Sequence, residues 1–149
     1  MLDTLKKIAI GSDHAGYKFK EYLKQFLQSQ EYNITDFGTN SEESMDYPDP
    51  IHPLARAVEN KEFDKGIIIC GSGNGVAMVA NKYSSVRAAV CWNEEITRLS
   101  RSHNDANIIA LPARFITQEQ ALTFVQVFLS TVFEGGRHLR RVEKISQII

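Results

Sequence analysis

Gly66-Ile67-Ile68-Ile69-Cys70-Gly71-Ser72-Gly73-Asn74-Gly75-Val76-Ala77-Met78 is the stretch on which the fold turns. Three consecutive isoleucines show no polar alternation, as expected of a parallel strand buried on both faces. Three glycines in five positions follow, and a helical run opens near Val76. Strand, glycine loop and helix in that order begin a βαβ unit. Outward from it, short β-branched runs recur at 7–11, 33–37, 87–91 and 107–111. Between them lie amphipathic stretches. Phe19, Tyr22, Leu23, Phe26 and Leu27 share one helical face, as do Ile51, Leu54, Ala55 and Val58, and then Ala121, Phe124, Val125, Phe128 and Leu129. Gln120 stands at capping-box spacing from Thr117, which marks a helix start. Strands alternating with helices predict right-handed crossovers. The fold class is therefore α/β, a Rossmann-like three-layer αβα sandwich around a parallel sheet of about five strands. No repeat or linker divides the chain, so residues 1–149 read as one domain. The longest irregular stretch is 38–50, a length usual in functional loops.

Composition narrows the function classes. Seventeen Lys and Arg against eighteen Asp and Glu give a net charge of −1, so no global basic field recruits nucleic acid. The four basic and two acidic residues of 134–149 are a local exception. Two cysteines are too few for a disulfide framework. Four scattered histidines show no metal-ligand spacing. The N-terminus lacks a secretory pattern, and no apolar run approaches the ~20 residues that span a bilayer. The expectation is a reduced, cytoplasmic protein with no membrane partner.

In open α/β sheets ligands bind beyond the carboxyl ends of the strands, so the residues following each run are the candidates for chemistry. Gly71, Gly73 and Gly75 let the backbone approach a ligand and aim N–H groups at an anion. The loop is neither a Walker A motif nor a dinucleotide fingerprint. One glycine would serve a plain turn; three point to an anion or oxyanion pocket. Cys70 ends the strand facing the positive end of the next helix, a position that favours a thiolate. A phosphatase loop would need Arg at position 76, which is Val76. Cys91 has no such loop and reads as core. Asp13 reads equally as an N-cap or as a functional carboxylate, and His14 on the same turn suits phosphate binding or proton transfer. His103 and Asn104 close a helical stretch, His52 beside Pro50 and Pro53 reads as structural, and Arg114 follows the last strand run. If residues 137–145 are helical, Arg137 and Arg141 share a face suited to gripping a phosphate dianion. Val142, Ile145 and Ile149 then form an apolar stripe beside them, suggesting docking onto another subunit after the Gly135-Gly136 hinge.

Several motifs in one order complete the reading: Ile10-Gly11-Ser12-Asp13-His14-Ala15-Gly16, Asp46-Tyr47-Pro48, Cys70 with Gly71 to Gly75, Asn81-Lys82, Ser100 through Asn107, and Glu134-Gly135-Gly136-Arg137-His138. Together they resemble the type B ribose-5-phosphate isomerases, a group that includes galactose-6-phosphate and allose-6-phosphate isomerases. The resemblance spans essentially the whole chain. It implies a metal-free aldose–ketose isomerase working through an enediolate, with no cofactor. Carried over by position, Cys70 is the base between C1 and C2 and Ser72 assists it. The loop of Gly71, Ser72, Gly73, Asn74 and Gly75 forms the anion hole, helped by Asn104. Asp13 and His103 open the furanose ring, Tyr47 lies by the substrate, His14, Arg137 and Arg141 clamp the phosphate, and Arg114 makes another substrate contact. It also implies a homodimer with shared sites, the C-terminal helix reaching the partner subunit, and in some members tetramers. One branch of the family replaces the cysteine by a glutamate just after the glycine loop. With Cys70 and Val76, this chain falls in the cysteine branch, and Ser72 stands where other members often have Thr.

Two rivals remain at this level. A six-carbon sugar phosphate would use the same proton transfer in a longer pocket. A non-catalytic phosphosugar-binding module would share the fold, but it has no need of a positioned thiol and a ring-opening acid–base group.

Overall fold

A computed structural model describes residues 6–148. Five strands, β1 (Lys7–Ser12), β2 (Asn33–Asp36), β3 (Lys65–Cys70), β4 (Ala88–Val90) and β5 (Ile108–Pro112), form one sheet in the order β2-β1-β3-β5-β4. Every neighbouring pair is parallel. Six α-helices accompany them: α1 (Tyr17–Ser29), α2 (Pro48–Glu59), α3 (Asn74–Ala80), α4 (Glu94–Ser102), α5 (Gln118–Ser130) and α6 (Arg137–Ile145). Among the described residues no helix is long and apolar enough to cross a membrane.

Strand order fixes the layers. The chain moves from β1 outward to β2, then back past β1 to β3, so right-handed crossovers put α1 and α2 on opposite faces. One core gathers Leu23 and Leu27 of α1 with Val125 and Phe128 of α5 beneath the sheet. The other gathers Leu54 and Val58 of α2 with Val76 and Ala80 of α3. Between them Ile67, Ile68 and Ile69 of β3 are fully buried, as a strand with no polar alternation requires. The reversal between β1 and β3 opens the crevice in which doubly wound folds bind ligands.

Local signals mostly hold. Thr117 and Gln120 form the expected capping box of α5. One reading needs correction and another gains a residue. The irregular stretch 38–50 ends early, because Pro48 begins α2, where the fixed φ of proline suits a first helical turn. The apolar face of α1 packs on the core as expected, Leu23 and Leu27 buried and Phe19, Tyr22 and Phe26 partly buried against it, and Lys20 is buried with them. Lys20 is fully buried because its ammonium meets Asp36 at 2.6 Å and Glu21 at 2.8 Å. Buried charge is tolerated when it is paired in this way. Of the apolar stripe on α6, Val142 is buried and Ile145 exposed, whereas Ile149 lies outside the described residues.

Candidate active site

Parallel strands with antiparallel return helices give the sheet two distinct edges. Residues that follow strands collect at the carboxyl edge; residues that follow helices collect at the amino edge. The predicted site residues divide between them.

At the carboxyl edge a cavity of about 550 Å³ is lined by Asp13, Tyr47, Cys70, Ser72 and Arg114, with Met78 and Phe115. Each residue is held by backbone geometry. Asp13 N–H donates to Ile69 O at 3.1 Å, tying the end of β1 to β3. The Asp13 carboxylate caps the 3-10 turn His14–Gly16 by accepting from Gly16 N–H at 3.1 Å, so capping and a place in the cavity coexist. Gly73 N–H donates to Cys70 Sγ across 3.2 Å, which fixes the sulfur at the start of the glycine loop. Asn74 N–H donates to Ser72 Oγ at 3.2 Å, which orients that hydroxyl. Arg114 N–H donates to Gly71 O at 3.0 Å, bringing its guanidinium against the loop.

The three loop glycines serve three different ends. Gly73 has φ of 77°, the left-handed conformation that ends the strand and starts α3. A Cβ on Gly71 would lie 3.1 Å from Nη1 of Arg114, and one on Gly75 would lie 2.7 Å from the ring of Tyr47. Only the first is a turn requirement. The other two admit side chains to the cavity.

His14 flanks this site. Met45 N–H donates to its Nδ1 at 3.2 Å, so the ring proton of the neutral imidazole sits on Nε2, free to donate. That bond also ties the 38–47 segment to the turn after β1.

His103, Asn104, Arg137 and Arg141 lie elsewhere. His103 caps the C-terminus of α4, and Asn107 N–H donates to Arg87 O at the start of β4, so this segment belongs to the amino edge. Glu134 N–H donates to Ser102 O at 3.0 Å, which brings the start of α6 to the same place. The His103 and His138 rings stack with centroids 4.2 Å apart. Asn104 lines a second cavity of about 490 Å³, with Asn81, Arg87 and Ile145 among its walls. The two groups are separated by the length of a five-residue strand, on the order of 15 Å. One chain does not bring them together.

Electrostatics distinguish the ancillary groups. Burial pushes the Cys91 thiol up, which keeps it protonated and inert, as its core position suggests. Burial, joined by repulsion from His103 and Arg137, holds His138 below the ordinary histidine value. His52 is bound through Nδ1 to the Tyr83 hydroxyl at 2.7 Å, consistent with a structural role. Met78 and Phe115 are not among the sequence-predicted site residues, and His138 enters the sequence reading only as the end of the Glu134–His138 motif. Phe115 directly follows Arg114 and was within reach of the strand-end rule; Met78 lies one turn into α3 from Asn74.

A family model described as Ribose/Galactose Isomerase matches residues 8–145. The chain belongs to that family. Within it, the similarity runs to the type B ribose-5-phosphate isomerases. Ribose-5-phosphate isomerase B of Escherichia coli strain K12 is 42% identical over 144 residues, 97% of each chain. A crystal structure of a ribose 5-phosphate isomerase from Thermotoga maritima superposes with a TM-score of 0.94 at 47% identity, covering 96% of this chain and 99% of the other. Ribose-5-phosphate isomerase B from Mycoplasma genitalium, solved with bound ribulose-5-phosphate, gives a TM-score of 0.92 at 39% identity, with 97% of each chain covered.

Proposed function

We propose that this chain interconverts ribose 5-phosphate and ribulose 5-phosphate without a metal, through a cis-enediolate, with Cys70 as the base. The observation that carries the reading is the Cys70 thiol at the end of β3, its sulfur facing Gly73 N–H, in one cavity with Asp13, Tyr47 and Arg114. Membership of the isomerase family and likeness to a relative solved with ribulose-5-phosphate support the substrate.

The thiolate takes the proton from C2 of the open-chain aldose and returns it at C1. The C–H bond is barely acidic unaided, so the developing oxyanion needs donors already in place. Backbone N–H groups of the 71–75 loop and Asn104 serve that oxygen, and Ser72 assists at the base. Asp13 and His103 open the furanose ring. His14, Arg137 and Arg141 hold the phosphate, whose binding energy positions the reacting carbons.

Because His103, Asn104, Arg137 and Arg141 occupy the sheet edge opposite Cys70, the mechanism requires two copies. In the proposed homodimer the amino edge and α6 of one subunit complete the carboxyl-edge cavity of its partner. Apolar side chains exposed on both sides fit such a contact: Trp92 and Phe115 near the cavity, Leu139 and Ile145 on α6. Charge and fold give no reason to invoke nucleic acid or membrane, and a cytoplasmic setting suits free thiols at Cys70 and Cys91.

The deciding experiment is ketose formation by purified, EDTA-treated protein from ribose 5-phosphate, beside allose 6-phosphate and galactose 6-phosphate. Fast turnover of the pentose is expected. Turnover of a hexose phosphate alone would keep the mechanism and change the substrate. Silence on all three would leave a binding module.

A further inference from the structure

We propose that the Met45 backbone N–H is the positioning group for His14, and that the 38–47 segment, acting through it, sets the length of sugar phosphate the site accepts, favouring five carbons over six. This role rests on the proposed isomerisation, with Cys70 at the reacting carbons and His14 at the phosphate, and names what selects between pentose and hexose substrates.

The bond runs from Met45 N–H to His14 Nδ1 at 3.2 Å and joins residues 31 apart in the chain. A backbone amide can only donate, so Nδ1 carries a lone pair and the ring proton sits on Nε2. The bond made by one ring nitrogen decides what the other can do. Here one nitrogen is anchored to the segment, and the other is a single donor of fixed direction.

Both ends of the segment are tied down. At one end Gly38 N–H donates to Asp36 Oδ1 at 2.8 Å, Ser12 N–H donates to Gly38 O at 2.7 Å, and Thr39 N–H donates to Ser12 O at 2.8 Å. At the other, Pro48 opens α2, where Pro50, Ile51 and Leu54 are buried. Residues 40–44 between them are exposed. Among the described residues, the polar links from 40–45 to the rest of the protein are the Met45–His14 bond and an ion pair of Lys18 with Glu42 at 3.5 Å, both side chains more than half exposed. Such an exposed pair contributes little. The bond to His14 is therefore what holds the middle of the segment in place.

Tyr47 follows two residues later, its ring so near Gly75 that a Cβ there would lie 2.7 Å away. One short stretch thus fixes both the contact at His14 and the wall against the glycine loop that follows Cys70. A sixth carbon would carry the phosphate about 1 Å or more farther from the reacting carbons, and a misplacement of that size costs on the order of 10²-fold. The arginine side chains of α6 are long enough to follow a displaced phosphate; an imidazole pinned at Nδ1 is not. Nor does the segment supply another cation, since residues 38–50 hold Glu42, Glu43, Asp46 and Asp49 and no Lys or Arg.

The test separates the amide from the side chain: Met45→Pro removes the N–H, and Met45→Ala keeps it. In NMR spectra of ring ¹⁵N, with His14→Gln identifying the signal, wild-type and Met45→Ala protein should show His14 as the Nε2–H tautomer, and Met45→Pro a mixture. Met45→Pro should raise KM for ribose 5-phosphate about tenfold with kcat changed by no more than about threefold. It should also lower the kcat/KM preference for ribose 5-phosphate over allose 6-phosphate at least about tenfold. Met45→Ala should match wild type throughout. Ser44→Gly, at an exposed position, loosens the same stretch through backbone entropy and should lower the preference in the same direction, so the length claim does not depend on Met45→Pro folding. A wild-type ring protonated at Nδ1, or equal effects of Met45→Ala and Met45→Pro, would overturn the positioning role. A wild-type preference for the six-carbon substrate, or a preference unchanged in every folded variant, would overturn the length claim. Calorimetric affinities of Cys70→Ala protein for the two sugar phosphates read the same preference without turnover, so failure of the isomerase reading would register separately.

Discussion

At Gly75 the fit is tight enough that a single methyl group should be felt. A Cβ there would lie 2.7 Å from Cε1 and Cζ of Tyr47, a ring partly exposed and able to swing away. Gly75→Ala should therefore leave thermal stability nearly unchanged while displacing Tyr47, with a loss in kcat/KM of roughly tenfold or more. A Tm scan beside steady-state kinetics checks both halves. Cys70 presents the complementary case. The residue is 5% exposed and lines the cavity, whereas Cys91 is sealed in the core. Cys70→Ala should lower kcat by about 10²–10⁴-fold, the usual worth of a positioned base, with ribose 5-phosphate affinity little changed. Near wild-type turnover would remove Cys70 from the mechanism. Iodoacetamide should inactivate the wild-type protein, and substrate should protect it.

Among the elements, β2 and α1 are joined by a charge cluster that also holds the loop toward Tyr47. Asp36 accepts from Lys20 and Lys24 through Oδ2 and from Gly38 N–H through Oδ1 at 2.8 Å. Burial pushes the Asp36 carboxyl up, but the two ammonium groups and the Gly38 N–H outweigh it, leaving the group below its ordinary value. A depressed folded-state value means that its stabilisation is present above the normal carboxylate range and is lost as pH falls toward the folded-state value. Asp36→Asn, which leaves the buried Lys20 with Glu21 as its remaining carboxylate partner, should cost roughly 1–3 kcal/mol near neutral pH. In urea melts the gap from wild type should narrow in strong acid. A gap independent of pH would show that the carboxylate's charge is not what stabilises the pair.

For the whole molecule, the division of site residues between the two sheet edges has a sharp consequence. If Cys70 of one subunit works with His103 of its partner, a mixed dimer of Cys70→Ala and His103→Ala subunits has one doubly defective site and one intact site. Refolding an equal mixture of the two inactive proteins should then restore about a quarter of wild-type turnover, since half the dimers are mixed and each has one working site of two. No recovery would mean that each subunit uses its own pair, or that subunits do not share sites. The arrangement also accounts for what was legible beforehand. Asp13, Cys70 and Arg114 end or follow strands, where the strand-end rule looks, and the structure gathers them around one cavity. His103 follows a helix, and that difference already carried the information that it belongs to the other edge.

By itself the sequence determined the alternation of strand and helix, the parallel sheet, the capping box at Thr117 and Gln120, and the place of Cys70 before a glycine loop. These depend on periodicity and chain direction, which are local properties. Only the tertiary structure decided that Lys20 lies in the core with Asp36, that Gly75 makes room for Tyr47 while Gly73 makes the turn, and that His103, Glu134 and His138 converge. Each pairing joins residues distant along the chain. Their meeting is set by the handedness of the crossovers and by close packing, which no local pattern encodes.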